Sequence, residues 1–222
     1  MPGSPRTDLG EGFVRSAELL RELQKDIADA YEALEQRRES QFHRRIVVRA
    51  IFSFIEAAVE AVKNELRSSI RCGEFTLPMT DRDKETLGSI HVVGLRKDKF
   101  LPLDQNVKRT FRLATKIWSL KGFALDTSGG DFQDFLLAKS ARNRLTHPKT
   151  FYDIEVTESD MHCHMIAGMW IQIELGRLHE ARIRTLSERL PYAERENFIQ
   201  SFVIREQSTG NASSAYAAAT DA

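Results

Sequence analysis

An arginine and a histidine five residues apart, Arg142 and His147, stand in the stretch Ala138-Lys-Ser-Ala-Arg-Asn-Arg-Leu-Thr-His-Pro148. From Lys139 through Lys149 it carries four bases and no acid. An arginine can hold a phosphate, and a histidine can move a proton. Together they suffice for RNA cleavage without a metal. The histidine would take the 2′-hydroxyl proton or protonate the leaving oxygen, and the arginine would stabilise charge on the phosphorane-like transition state. The products would be a 2′,3′-cyclic phosphate and a 5′-hydroxyl. On a continuous helix the two side chains would diverge by about 140°, so the chemistry requires His147 to leave the helical path. Pro148 encourages this, because it disfavours the α conformation in the residue before it. Asn143, four residues before His147, is placed to orient the imidazole. The competing reading is an arginine and a histidine that merely finish a helix.

Helices must deliver this stretch. Phe13, Leu20, Leu23, Ile27, Tyr31 and Leu34 recur at steps that predict a first helix from Gly12 to about Ser40. The second, Gln41 to about Arg71, is apolar on most sides between Ile46 and Val62. Its exceptions, Arg49, Ser53, Glu56 and Glu60, fall on one stripe. That stripe is either a solvent edge or a line on which Glu56 faces a functional cleft. Gly73 is the expected C′ residue. Residues 74–103 read as an irregular insertion, with Thr80 capping a short helix over Asp81–Leu87 and an extended piece over Ser89–Val93. Asp104 is the expected N-cap of a third helix, Gln105 to about Leu120, and Asp131 of a fourth that ends at His147. Thr157 and Asp160 form a variant capping box for a fifth, Glu158 to about Leu190, with Met161, Met165, Met169 and Ile173 on its buried face. Pro191 interrupts it, and Tyr192 to Ile204 suggests one more short helix. The fold expected is all-α: an antiparallel bundle of about five helices in one domain, residues 12–205, with a disordered lead-in 1–11 and a disordered tail 206–222.

Arg142-Asn143-Arg144-Leu145-Thr146-His147-Pro148 resembles the Arg-Asn-x-x-x-His signature of the HEPN superfamily, over a bundle core from about Ile46 to Gly176. The resemblance implies a small helical bundle and a metal-independent endoribonuclease, with no cofactor. Many members are toxins or anti-phage abortive-infection proteins, and some are inactive modules that bind RNA, a nucleotide or a protein. It further implies a homodimer in which the motifs of two subunits meet in a cleft. By match to the motif, Arg142 and His147 are the catalytic pair and Asn143 the polar residue beside the arginine. Glu56 is the candidate for the upstream acid that assists in some members. Arg144, Lys139, Lys149, Arg109 and Arg112 are the candidate RNA contacts, and an antitoxin or defence-system protein is a possible partner. Some family toxins carry a tyrosine two residues after the histidine; here that residue is Lys149.

Composition narrows the setting. The 32 basic and 32 acidic residues cancel, so total charge selects no partner. Locally, eight bases against two acids over Val93–Lys121 suggest a polyanion surface or a solvated face. The acids Asp153, Glu155, Glu158 and Asp160 follow. Phosphate-loop, GxGxxG, HExxH and GxSxG motifs are absent. His162 and His164 point to nearly opposite sides of a helix and cannot share a metal ion. The two cysteines form no framework, the N-terminus shows no apolar signal region and no run is a membrane span, so the expected setting is a reducing cytoplasm. A purely structural helical dimer is the third functional class left open.

Overall fold

Apolar side chains on nearly every side of residues 46–62 drive the second helix to the centre of the molecule. The computed structural model describes residues 5–88, 101–192 and 194–196, and among them there are helices and turns but no strand. The elements are α1 (Pro5–Glu35), α2 (Gln41–Arg71), α3 (Asp81–Leu87), α4 (Leu103–Ile117), α5 (Gly130–Thr146), a 3-10 turn (Phe151–Ile154) and α6 (Glu158–Ser187). The architecture is an all-α bundle, as the periodicity predicts. In α2, Val47, Ile51, Phe54, Ile55, Val62 and Leu66 are almost completely buried. α1 contributes Leu20, Ile27 and Ala30 to the same core. No helix among the described residues is long and apolar enough to cross a membrane.

Several boundaries differ from expectation, most for a local reason. α1 spans Pro5–Glu35 among the described residues, so residues 5–11 are helical rather than a disordered lead-in. α1 also stops at Glu35, because Ser40 caps α2 instead of extending α1: its hydroxyl accepts from the His43 N–H. Pro102, not Asp104, precedes α4, and Asp104 lies in the first turn. There a carboxylate favours the helix N-terminus and takes an ion pair from Lys139 at 2.6 Å. Ser119, at φ 55°, closes α4 early, with Leu120 N–H donating to the Thr115 carbonyl. Gly129, not Asp131, precedes α5, because Asp126 already binds the N–H groups of Ser128 and Gly129. The predicted boxes at Thr80–Asp83 and Thr157–Asp160 both form, and Gly73 sits at φ 77° just past the α2 C-cap.

On α6 the expected buried face fails at its far end. Met161 is buried, but Met169 and Ile173 are 46% and 54% exposed. Steps of four overshoot the helical repeat by about 40° each, so that line of residues winds out of the core. Cys163, Ala167, Trp170, Ile171 and Leu178 occupy the core side instead. The extended piece at 89–93, the bases Arg96, Lys97 and Lys99, the side chain of Phe13, the tail and most of the helix expected over 192–204 lie outside the described residues and side chains.

Contacts between elements give the chain its directions. Arg144 meets Asp160 while Phe132 meets Trp170, so α5 and α6 are antiparallel. Lys139 meets Asp104 while Lys108 lies over Phe132, so α4 and α5 are antiparallel too. Arg44 meets Glu158 and Glu65 meets Arg182, so α2 and α6 run parallel. α5 is thus antiparallel to both its neighbours in sequence, and the 74–102 insertion returns the chain so that α4 runs with α2. One consequence matters for function. The C-terminal end of α5 is carried back beside α2, where Glu56 waits.

Candidate functional site

α5 is stopped where the sequence says it must stop. Thr146 is its last residue, and His147 takes φ −128° and ψ 59°. The backbone has left the helical path, so the divergence forced on residues five apart no longer applies. The His147 N–H still reaches the Asn143 carbonyl at 3.1 Å. Its imidazole is exposed, with no hydrogen-bond partner among the described residues.

Arg142 turns toward α2. Its Nη2 donates to Glu56 Oε1 at 2.7 Å, and its Nη1 donates to Asn143 Oδ1 at 3.3 Å. The guanidinium carbon lies 5.8 Å from the centre of the Phe52 ring, which is itself edge-to-face with His164. Glu56 belongs to the polar stripe, and all four of its members, Arg49, Ser53, Glu56 and Glu60, are exposed. The stripe is therefore a solvent edge, and one of its residues also binds the motif arginine. Asn143 acts differently from the expectation, because its side chain supports Arg142 and not the histidine ring.

The remaining bases separate into spent and free. Arg144 points inward. Its Nη1 donates to the carbonyls of Tyr152, Asp153 and Glu155, and its Nη2 reaches Asp160 at 3.0 Å. It holds the segment after the motif in place and is not displayed as an RNA contact. Lys139 is committed to Asp104 and Arg109 to Glu85. Burial works against the Asp104 carboxylate, but the Lys139 ammonium outweighs it and holds the carboxyl below its usual range. Lys149 is exposed beside His147. Arg112 lies with Lys108, Lys116 and Phe123 on a cleft of about 630 Å³ along α4. The predicted basic surface thus contracts to Arg142 and Lys149 near the motif and a separate cleft on α4.

Of the acids that follow the motif, two are paired with cations and two keep their charge. Asp153 accepts from the N–H groups of Lys149 and Thr150, which hold its carboxyl below the usual range. Asp160 takes Arg144 and caps α6, and Glu158 pairs with the buried Arg44. Glu155 is exposed.

His162 and His164 behave as helical spacing requires. His162 is exposed, while His164 is fully buried with its Nδ1 2.5 Å from the Asp160 carbonyl. Burial pushes the His164 pKa down, so this ring is a neutral core group. Two features were missed in the sequence. Phe52 underlies Arg142, and its signal was its place one helical turn before Glu56. Phe151 and Tyr152 stand 80% and 76% exposed. Their signal was two adjacent aromatics in a polar run with no periodicity to bury them.

Comparison with known proteins finds no matching family model, no matching curated protein and no matching solved structure.

Proposed function

We propose that the chain is a metal-independent endoribonuclease of the HEPN type, working as a homodimer with Arg142 and His147 at the subunit interface, in prokaryotic toxin or anti-phage defence. The observation that supports it best is the state of the motif. His147 is displayed off the end of α5, and Arg142 is fixed one turn back by Glu56 and Asn143. In the reaction, one His147 accepts the 2′-hydroxyl proton as the 2′-oxygen attacks phosphorus. The 5′-oxygen leaves and takes a proton from the second subunit's motif. Arg142 stabilises the charge that builds on the non-bridging oxygens. Two copies are needed because one subunit offers a single imidazole beside a single arginine.

The test is incubation of mixed RNAs with purified protein in EDTA, comparing wild type with His147→Ala and Arg142→Ala. The proposal expects cleavage to 2′,3′-cyclic phosphate ends by the wild type alone. Equal cleavage by all three proteins would remove the assignment, and a monomer at micromolar concentration would remove the interface. A second reading, an RNA-, nucleotide- or protein-binding module without activity, draws on the Glu56–Arg142 pair. That pair already occupies one face of the guanidinium. Binding without product from pH 5 to 8 would favour it.

A further inference from the structure

Phe151 and Tyr152 lie in the 3-10 turn that begins four residues after His147, and both rings stand in solvent. Their centroids are 6.1 Å apart with ring planes at 78°, so each ring turns a face in a different direction. Exposed apolar side chains are common, but these two sit on backbone that is held with unusual completeness. Arg144 donates to three of the segment's carbonyls, and Arg45 donates to a fourth, that of Ile154. Gln41 of α2 both donates to the Val156 carbonyl and accepts from its N–H. The carboxylate of Asp153 ties down the entry to the turn. A backbone bound this tightly does not collapse to hide two rings. It fixes the backbone positions from which the two rings project, which lowers the entropy cost of anything that stacks on them.

Charge around the turn is mixed. Glu158 and Asp160 are paired with Arg44 and Arg144, while Asp153 and the exposed Glu155 keep their charge on the side away from the motif's bases in sequence. Arg142, His147 and Lys149 stand on the motif side. An aromatic pair a few residues along the chain from Arg142 and Lys149 suits a nucleic acid strand whose bases are unpaired, because every base has a π-face and its phosphates need cations. The link from His147 to Phe151 spans at most about 14 Å, which puts the rings within a few nucleotides of a phosphate at the motif.

Resting on the ribonuclease reading above, we propose that Phe151 and Tyr152 form a stacking platform for unpaired bases of single-stranded RNA, beside the phosphate engaged by Arg142 and His147. The substrate class is then single-stranded RNA, not a duplex, whose bases are already stacked inside. The platform selects for unpaired structure and tolerates any base.

The experiment uses the full chain carrying His147→Ala, so that RNA is not cut. Binding of an end-labelled single-stranded oligoribonucleotide is compared with that of an equally long strand made of abasic nucleotides. Phe151→Ala and Tyr152→Ala are added singly, and Tyr152→Phe serves as the conservative control. Circular dichroism and sedimentation check fold and association. The platform predicts a preference for the base-bearing strand, a loss of roughly tenfold per ring removed on that strand, little loss on the abasic strand, and retention by Tyr152→Phe. Three results would overturn it: no preference for bases, equal losses on both strands, or losses that follow a fall in dimer mass. The last would make the rings a contact between copies of the chain. The two proposals fail separately. Ring-dependent binding by the parent with no cleavage by the wild type sinks the nuclease and keeps the platform. Cleavage unaffected by either alanine, with unchanged binding, does the reverse.

Discussion

Replacing Arg144 by alanine should unfold the protein more readily and should affect RNA contact only as a consequence. The side chain makes four hydrogen bonds between 2.7 and 3.2 Å, three to carbonyls and one to the Asp160 carboxylate. Buried bonds to a charged donor are worth about 1.5–3 kcal/mol each. Here the guanidinium is 31% exposed and Asp160 20%, so water can replace the arginine at much of this cluster. Asp160 also keeps its capping bonds to Thr157. A total of about 2 kcal/mol is the reasonable sum. For a domain of this size that lowers Tm by about 4–8 °C. Lysine at 144 should restore less than half, since one ammonium cannot reproduce a planar fork that spans four acceptors. Urea and thermal unfolding of wild type, Arg144→Ala and Arg144→Lys measure this, alongside binding of the single-stranded oligonucleotide. Unchanged stability with weakened RNA binding would refute the reasoning and return Arg144 to the role its sequence position suggests.

Glu65→Ala should be the most damaging single change outside the apolar core. Its carboxylate is 6% exposed and binds Arg182 at 2.5 Å, and the Arg182 guanidinium lies 4.1 Å over the Trp118 ring. Arg182 would keep only Ser69 at 3.4 Å and Glu74 at 3.9 Å, so the loss should be about 3 kcal/mol, the low end for a broken buried pair, readable as a fall in the urea midpoint, with Glu65→Gln intermediate. His164 gives a pH signature. Burial depresses its pKa below the ordinary 6.5, so the unfolded chain takes up the proton first. Its contribution is complete above that value and is lost as pH falls through about 6.5 toward the lower folded value. Urea midpoints from pH 7.5 to 5.5 should therefore fall less steeply in His164→Gln than in the wild type, once the variant's own loss of stability at pH 7.5 is subtracted. Asp104 and Asp153, also depressed, act only in a more acid window, below the ordinary carboxylate value of 3.8. Glu56→Gln should change stability by less than about 1 kcal/mol, because the pair it breaks is substantially exposed. In the proposed nuclease it should tighten RNA binding while slowing turnover, a split between KM and kcat that steady-state cleavage assays resolve.

Helix positions were legible because they rest on local rules. The apolar runs, the Thr80 and Thr157 boxes and the Pro148 stop all act within a few residues, and the chain obeys them. Two misplaced starts share one cause. Pro102 and the Asp126 turn set the entries of α4 and α5, and each outranks the good capping side chain two residues later. The candidate site was half legible. Arg142, His147 and Glu56 could be named from type and spacing, and Glu56 was found because a polar stripe on a buried helix invites the question of what it faces. The partner of each base was not legible. Lys139 with Asp104 spans 35 residues and Arg142 with Glu56 spans 86. Nothing local distinguishes a base that will be paired across the bundle from one left in water.

That distinction bears on how an RNA would be held. A run of bases read as a binding surface predicts attraction from many phosphate contacts and a steep dependence on salt. In the fold, Lys139, Arg109 and Arg144 are committed to internal partners, and Arg142 shares its charge with Glu56. Near the motif, Arg142 and Lys149 remain to meet phosphates. For single strands the slope of log K against log salt is roughly −0.7 per phosphate neutralised. Two contacts per subunit then give a slope of about −1.4, whereas release of all five named bases would bring it to about −3.5. Stacking on Phe151 and Tyr152 would supply affinity that salt does not screen. A shallow slope that stays shallow in Lys139→Ala and Arg109→Ala, and flattens in Lys149→Ala, is the outcome this arrangement requires. A steep slope that those first two substitutions reduce would mean that the internal ion pairs open on binding, and that the bases counted in the sequence were available after all.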